Sequence, residues 1–222
     1  MYHRWLGLSI GLILAIVWTG VGLAPKSKLA LYFIPVLAIL QSMVGYWCGK
    51  RYEQKRTLAY HDSLTGLLVN RRFFELMGIE VERARRNDYF VTLMVIDLDD
   101  FKKYNDSFGH IAGDRLLCKF AELLHRNVRS HDLVGRWGGE EFVVLLPHTS
   151  TELGVLVGKR IRESVHKELE GITVSIGLAT FPTHAASADE LAAKADGLMY
   201  EAKKQKDCML TGSLELLKNE RV

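Results

Sequence analysis

Cysteine is scarce in this sequence. Its three residues, Cys48, Cys118 and Cys208, stand far apart, and neither a Cys-x-x-Cys pair nor a cysteine–histidine cluster occurs. That sets aside a disulfide framework and a zinc site and leaves small apolar side chains in a reducing compartment. A strong excess of charge is missing too. A formal net charge of +3 over 222 residues, without a basic tract interleaved with aromatics, gives no support to nucleic acid as a partner. Acidic residues are absent from positions 5–48, whereas the remainder has the mixed charge of a globular protein. There are no internal repeats, and the length accommodates one ordinary domain with an appendage.

The acid-free region holds two apolar runs, WLGLSIGLILAIVWTGVGLA from Trp5 to Ala24 and LALYFIPVLAILQSMVGYWC from Leu29 to Cys48. A helix needs about 20 such residues to cross a hydrocarbon core. Trp5, Trp18, Tyr46 and Trp47 lie at or near the ends, where interfacial aromatics sit, and Pro35 predicts a kink in the second run. A buried helical hairpin is the alternative, but two runs with no polar face, joined by a short loop, favour a membrane. Arg4, Lys50, Arg51, Lys55 and Arg56 flank the outer ends, against Lys26 and Lys28 in the connection. This balance places both termini in the cytoplasm. A cleavable leader over the first run is the other option, though Pro25 after Ala24 makes a poor cleavage site.

Beyond the runs the pattern alternates. From Asn70, NRRFFELMGIEVERARRND has helical spacing. YFVTLMVIDLDDF reads as a buried strand ending in Asp97, Asp99 and Asp100. AGDRLLCKFAELLHRNVR is an amphipathic helix, and HDLVGRWGGEEFVVLLP is a strand pair around a Gly-Gly turn. A helix (TELGVLVGKRIRESVHKEL), a strand (ITVSIGLATFP) and a last helix (ADELAAKADGLMYEAKKQ) follow. The succession predicts an α+β palm of the ferredoxin-like kind.

Two stretches carry chemistry. In DLDDFKKYNDSFGHIAGD, Asp97 and Asp99 are two apart and share one side of a strand, unless the period breaks at its end. Hard oxygen ligands with a lysine nearby suit Mg²⁺ bound together with phosphates, Lys102 supplying a point charge. Asn105, His110 and Asp114 follow in an expected loop that opens a helix, and Asn and Asp offer edges that a purine can satisfy. Ordinary turn and capping roles for Asp106 and Asp114 are the plain alternative. In the second stretch, GGEEF, Gly138 and Gly139 let the backbone approach a ligand beside Glu140 and Glu141. A bare β-turn is the alternative there. If the hairpin lies beside the first strand, Glu140 meets Asp97, and converging carboxylates create a divalent-ion site.

These stretches, with RSHDLVGRWGGEEF and TVSIGLATFP, resemble the GGDEF family of diguanylate cyclases in residue type and spacing, over roughly Tyr60 to Asp207. The resemblance implies the nucleotidyl cyclase palm and condensation of two GTP into cyclic di-GMP by a homodimer. Asp97, the Leu98 carbonyl and Glu140 match metal positions, with Mg²⁺ as the ion. Glu140 also matches the proton acceptor, and Glu141 shares metal or substrate duties. Lys102, Asn105, His110, Asp114 and Lys203 match substrate positions, and the role of Arg136 stays open. Arg129 and Asp132 match the RxxD motif of the inhibitory product site, against the plain reading of a surface ion pair. The expected organisation is a transmembrane hairpin over 1–49, a juxtamembrane helix and linker over 50–61, the GGDEF catalytic domain over 62–207 and a tail over 208–222. The chain would then be a multi-pass protein of the inner (cytoplasmic) membrane, with its catalytic domain in the cytoplasm.

There are two departures. One extra residue stands between Leu67 and Asn70 of DSLTGLLVNRR. Asp207 occupies a position where the family usually has arginine, and a carboxylate there is expected to repel a triphosphate unless Lys204 or Lys206 compensates. Asp207 also keeps open a catalytically weak domain that only binds GTP or cyclic di-GMP. A cyclase making another cyclic nucleotide is a further alternative, disfavoured by Asn105, Asp114 and the RxxD motif.

Overall fold

The computed structural model describes residues 39–47, 60–169 and 171–212. The chain divides into two compact units, Met1–Ala59 and Tyr60–Val222. In the first, residues 39–47 are helical, with Ile39, Met43 and Val44 exposed. The run from Trp5 to Ala24, most of the run from Leu29 to Cys48 and the linker up to residue 59 lie outside the described residues. Among the described residues no helix is long and apolar enough to cross a membrane.

The second unit runs β1 (Leu68–Val69), α1 (Asn70–Asn87), β2 (Val91–Leu98), α2 (Phe101–Phe108), α3 (His110–Asn127), β3 (Leu133–Gly138), β4 (Glu141–Pro147), α4 (Thr151–Glu168), β5 (Val174–Phe181), α5 (Ala188–Gln205) and β6 (Met209–Thr211). The sheet order is β1-β3-β4-β2-β5-β6. Its middle four strands, with β2 antiparallel to both β4 and β5, form the expected ferredoxin-like α+β palm.

β2 is buried along its whole length because helices cover both faces. Val91, Leu93 and Val95 face α1 and α5, and Met94, Ile96 and Leu98 face α3 and α4. This alternation is the period-two rule for strands, and it puts Asp97 on the α1/α5 side. On the opposite side Phe142 of the GGEEF stretch is fully buried, edge-on to Phe120 with ring centroids 4.8 Å apart. Truncating such an aromatic costs about 3–5 kcal/mol.

The expected loop carrying Asn105, His110 and Asp114 is in fact two helices. Asn105 lies within α2, and His110 and Asp114 lie in the first turns of α3. Gly109, at φ +83°, separates the two helices, a backbone angle that glycine adopts freely. α3 starts without a side-chain cap, so Asp114 is no helix-start residue. β1 and β6 were not expected. Each is short and pairs parallel with a neighbour, β3 and β5 respectively.

Candidate active site

The antiparallel pairing of β2 with β4 brings the end of β2 to the β3–β4 turn. The residue opposite Asp97 is Glu141, not Glu140. Glu140 instead offers its main-chain carbonyl to the Leu98 amide at 3.3 Å. Both glutamates are half-buried, and Leu98 points its side chain into the core.

Arg136 braces the turn from behind. Its Nε and Nη2 donate to the Gly139 carbonyl at 3.0 and 2.7 Å, while Nη1 donates to Asp62 Oδ1 at 3.0 Å. Asp62 also accepts from the Thr65 amide and hydroxyl at 2.9 and 2.7 Å. Burial works against the Asp62 carboxylate, but the Thr65 and Arg136 contacts prevail and hold it below its ordinary range. The stretch that holds the extra residue before Asn70 forms β1, whose Leu68 and Val69 pair with Gly135 and Arg136. Asn70 Nδ2 then donates to the Trp137 carbonyl at 3.3 Å. The DSLTG turn, which Asp and Thr predispose to side-chain-to-backbone bonding, is thus tied to the GGEEF turn.

Asp97 is the most constrained acid of the site. Its side chain is 1% exposed; Oδ2 accepts from Lys203 Nζ at 2.7 Å, and Oδ1 is buried without a hydrogen-bond partner. Burial, with Glu140 and Glu141 nearby, pushes its carboxyl up to about 6 despite Lys203. Glu141 moves upward too, through burial and the neighbouring acids Asp196 and Glu140. Burial pulls Lys203 down, yet its bond to Asp97 and the surrounding carboxylates keep it above its ordinary range. An orphaned carboxylate oxygen beside two further acids fits a hard divalent cation, which would satisfy Oδ1 and reverse the crowding. Among the described residues no three His, Cys, Asp or Glu side chains form a cage of their own. The acids that bear on Asp97 are Glu140 and Glu141, the second of them directly opposite it in the sheet.

Asp99, on the same side of the strand in sequence, does not join this group. It is 3% exposed, and accepts from Thr173 Oγ1 at 2.6 Å, Ser175 Oγ at 2.7 Å and the Asp207 amide at 2.8 Å. Asp207 departs from expectation as well. Its Oδ1 accepts from Arg162 Nη2 at 2.8 Å and lies 3.1 Å from His166 Nε2. Arg162, 5% exposed on α4, compensates the charge, and the expected repulsion of a triphosphate has lost its source. Sequence reasoning missed Arg162, which has no local signal, and gave no role to Thr173 and Ser175, although both lie in the TVSIGLATFP stretch.

On α2, Asn105 packs against the start of α3. A Cβ on Gly113 would come within 1.8 Å of Asn105 Oδ1, so only glycine allows this approach. Asn105 Oδ1 is buried with no hydrogen-bond partner, a feature that in a folded protein calls for an explanation. His110 and Asp114, one helical turn apart on α3, are exposed beside it, and exposed Lys102 lies in the first turn of α2.

The family model "Diguanylate cyclase, GGDEF domain" matches residues 59–208. The chain belongs to the GGDEF family. The diguanylate cyclase DgcM of Escherichia coli K12 is 43% identical over 157 residues, covering 68% of this chain and 38% of that protein. The chain thus spans about two fifths of the length of this relative. Among solved structures, the GGDEF domain of DgcB from Caulobacter crescentus in complex with c-di-GMP aligns with TM-score 0.66 and 26% identity, covering 69% of this chain and 93% of that one. The active GGEEF domain of a Vibrio cholerae diguanylate cyclase aligns with TM-score 0.62 and 28% identity, covering 65% and 97%.

The RxxD pair of this GGDEF chain lies at the other end of β3 from the signature turn. The six residue steps from Asp132 to Gly138 span roughly 20 Å at strand rise. Asp132 accepts from the main-chain amide of Arg129 at 2.7 Å, and its Oδ1 is buried without a hydrogen-bond partner. The motif is therefore a turn closed through the Arg129 main chain, not the plain side-chain ion pair, and Arg129 is exposed.

Proposed function

We propose that this chain is a diguanylate cyclase, condensing two GTP into cyclic di-GMP with release of two pyrophosphates. The observation that carries the reading is the buried Asp97, with one oxygen on Lys203 and the other unpartnered, facing the Glu140–Glu141 turn. A 3′-hydroxyl of one GTP attacks the α-phosphorus of the other, its proton leaves, and the bond to pyrophosphate breaks. The reciprocal attack closes the ring. Glu140 takes the hydroxyl proton, with Glu141 beside it. Lys203 and Lys102 stabilise the negative charge developing on the phosphates. Asn105 and Asp114 hold guanine, and His110 borders the base. Asp97, the Leu98 carbonyl and Glu140 would hold Mg²⁺, which when bound neutralises the carboxylates and lowers the pKa of the attacking hydroxyl.

One palm has one set of guanine-binding residues, so two copies must face each other, and activity requires a homodimer. The runs Trp5 to Ala24 and Leu29 to Cys48 form a membrane hairpin over 1–49 that concentrates the copies. They hold the protein in the inner membrane with the catalytic domain, 62–207, in the cytoplasm. Cyclic di-GMP binds back at Arg129 and Asp132 and inhibits. The rival reading of a catalytically weak binding domain drew on Asp207, whose carboxylate is occupied by Arg162. Substituting Glu140→Gln in the full-length chain tests the assignment. Synthesis falls by about 100-fold or more, the usual size of a lost proton acceptor, while the fold persists. Unchanged turnover removes Glu140 from that role.

A further inference from the structure

Two elements deliver cations to one short loop. The stretch Asp97–Asp100 ends β2 and opens α2, which brings Lys103, while the end of α5 brings Lys203 and Lys206. Lys206 Nζ lies 2.7 Å from Asp100 Oδ2, and Lys103 Nζ lies 2.9 Å from Asp100 Oδ1. Two ammonium groups thus share one carboxylate, and the trio retains an uncompensated positive charge at the rim of the site. All three are substantially exposed, so the ion pairs are weak and readily exchanged for a stronger anion. Lys204 offers no such cation, because it pairs with Glu201 and lies over the Tyr200 ring.

The backbone, more than the ion pair, fixes where Lys206 points. Lys206 and Asp207 have φ of +56° and +43°, left-handed conformations that non-glycine residues hold only when their surroundings impose them. Here the imposition is visible. The Asp207 amide donates to buried Asp99, and the Asp207 carboxylate accepts from buried Arg162. The same knot terminates α5 just after Lys203.

We propose that Lys206 is a third phosphate-binding residue of the site, beside Lys102 and Lys203, engaging the distal phosphates of GTP, and that Arg162 and Asp207 are its positioning residues. Lys203 sits on Asp97 and Lys206 on Asp100, which lies beyond the end of β2, so the two lysines reach different phosphates of one triphosphate. The proposal rests on the diguanylate cyclase reading.

The test measures affinities of the full-length chain for GMP and for a GTP analogue with a methylene between the α- and β-phosphorus. Lys206→Ala weakens the analogue about tenfold, as for one lost hydrogen bond to a charged group, and leaves GMP unchanged. Lys206→Arg retains most of the affinity. Arg162→Met, or the milder Asp207→Asn, reproduces the selective loss and adds nothing to Lys206→Ala when combined. Wild-type affinity in Lys206→Ala, or equal loss for both ligands, overturns the role of Lys206. Additive loss in the combined variant overturns the positioning role. A wild-type chain that binds neither ligand overturns the diguanylate cyclase reading itself.

Discussion

Replacing Asp97 by Asn changes how the stability of the metal-free protein responds to pH, by an amount that follows from the site. Burial raises the Asp97 carboxyl from its ordinary 3.8 to about 6. At 1.36 kcal/mol per unit the gap is worth about 3 kcal/mol. The side chain is 1% exposed, so solvent screening does not reduce this. Because the folded value is the higher one, the contribution is fully present below pH 3.8 and is lost as pH rises through about 6. Wild type therefore loses about 3 kcal/mol relative to Asp97→Asn between acid and neutral pH. The Asp62 and Asp100 carboxyls, both held low, are common to the two proteins and cancel in the difference. Urea unfolding of full-length protein in detergent with chelator, followed through Trp137, measures it; this indole packs edge-on to Phe74 at 4.9 Å. A difference that stays flat across that interval refutes the reasoning.

Gly113→Ala drives a Cβ into Asn105 Oδ1, so steady-state kinetics show a raised KM for GTP and weaker discrimination against ATP, with the helix itself intact. Arg136→Ala frees the Gly139 carbonyl and Asp62, lowering the thermal midpoint and kcat together, with a loss of about 1.5–3 kcal/mol from the charged hydrogen bonds. Arg136→Lys recovers only part, since an ammonium cannot reproduce the guanidinium fork. Arg129→Ala leaves the initial rate in place and abolishes inhibition by added cyclic di-GMP, read from progress curves.

Much of the palm was legible because its signals are local. β2 is a continuous apolar run, and the helical spacing over Asn70–Asn87 and Thr151–Glu168 reports faces that do pack. The helical identity of α2 was not legible. Eight residues with few apolar positions are too short to display a period. Asp97 and the GGEEF turn were readable as chemistry, but their register was not, since one residue decides whether Glu140 or Glu141 stands opposite Asp97. The partners of Arg136 and Asp207 were hidden for another reason. Asp62 lies 74 residues before Arg136, and Arg162 lies 45 residues before Asp207. Only the folded chain brings them together. Asp207 shows the cost of this most clearly, because its charge looked hostile to phosphate until Arg162 was beside it.

The most direct test of the central claim is product analysis, by chromatography and mass, after incubating the purified full-length chain with GTP and Mg²⁺ over a range of protein concentrations. The account predicts cyclic di-GMP, formed with a steeper than linear dependence on protein. GTP left intact at every concentration, while the chain still binds it, would contradict the account and leave a nucleotide-binding domain in place of an enzyme.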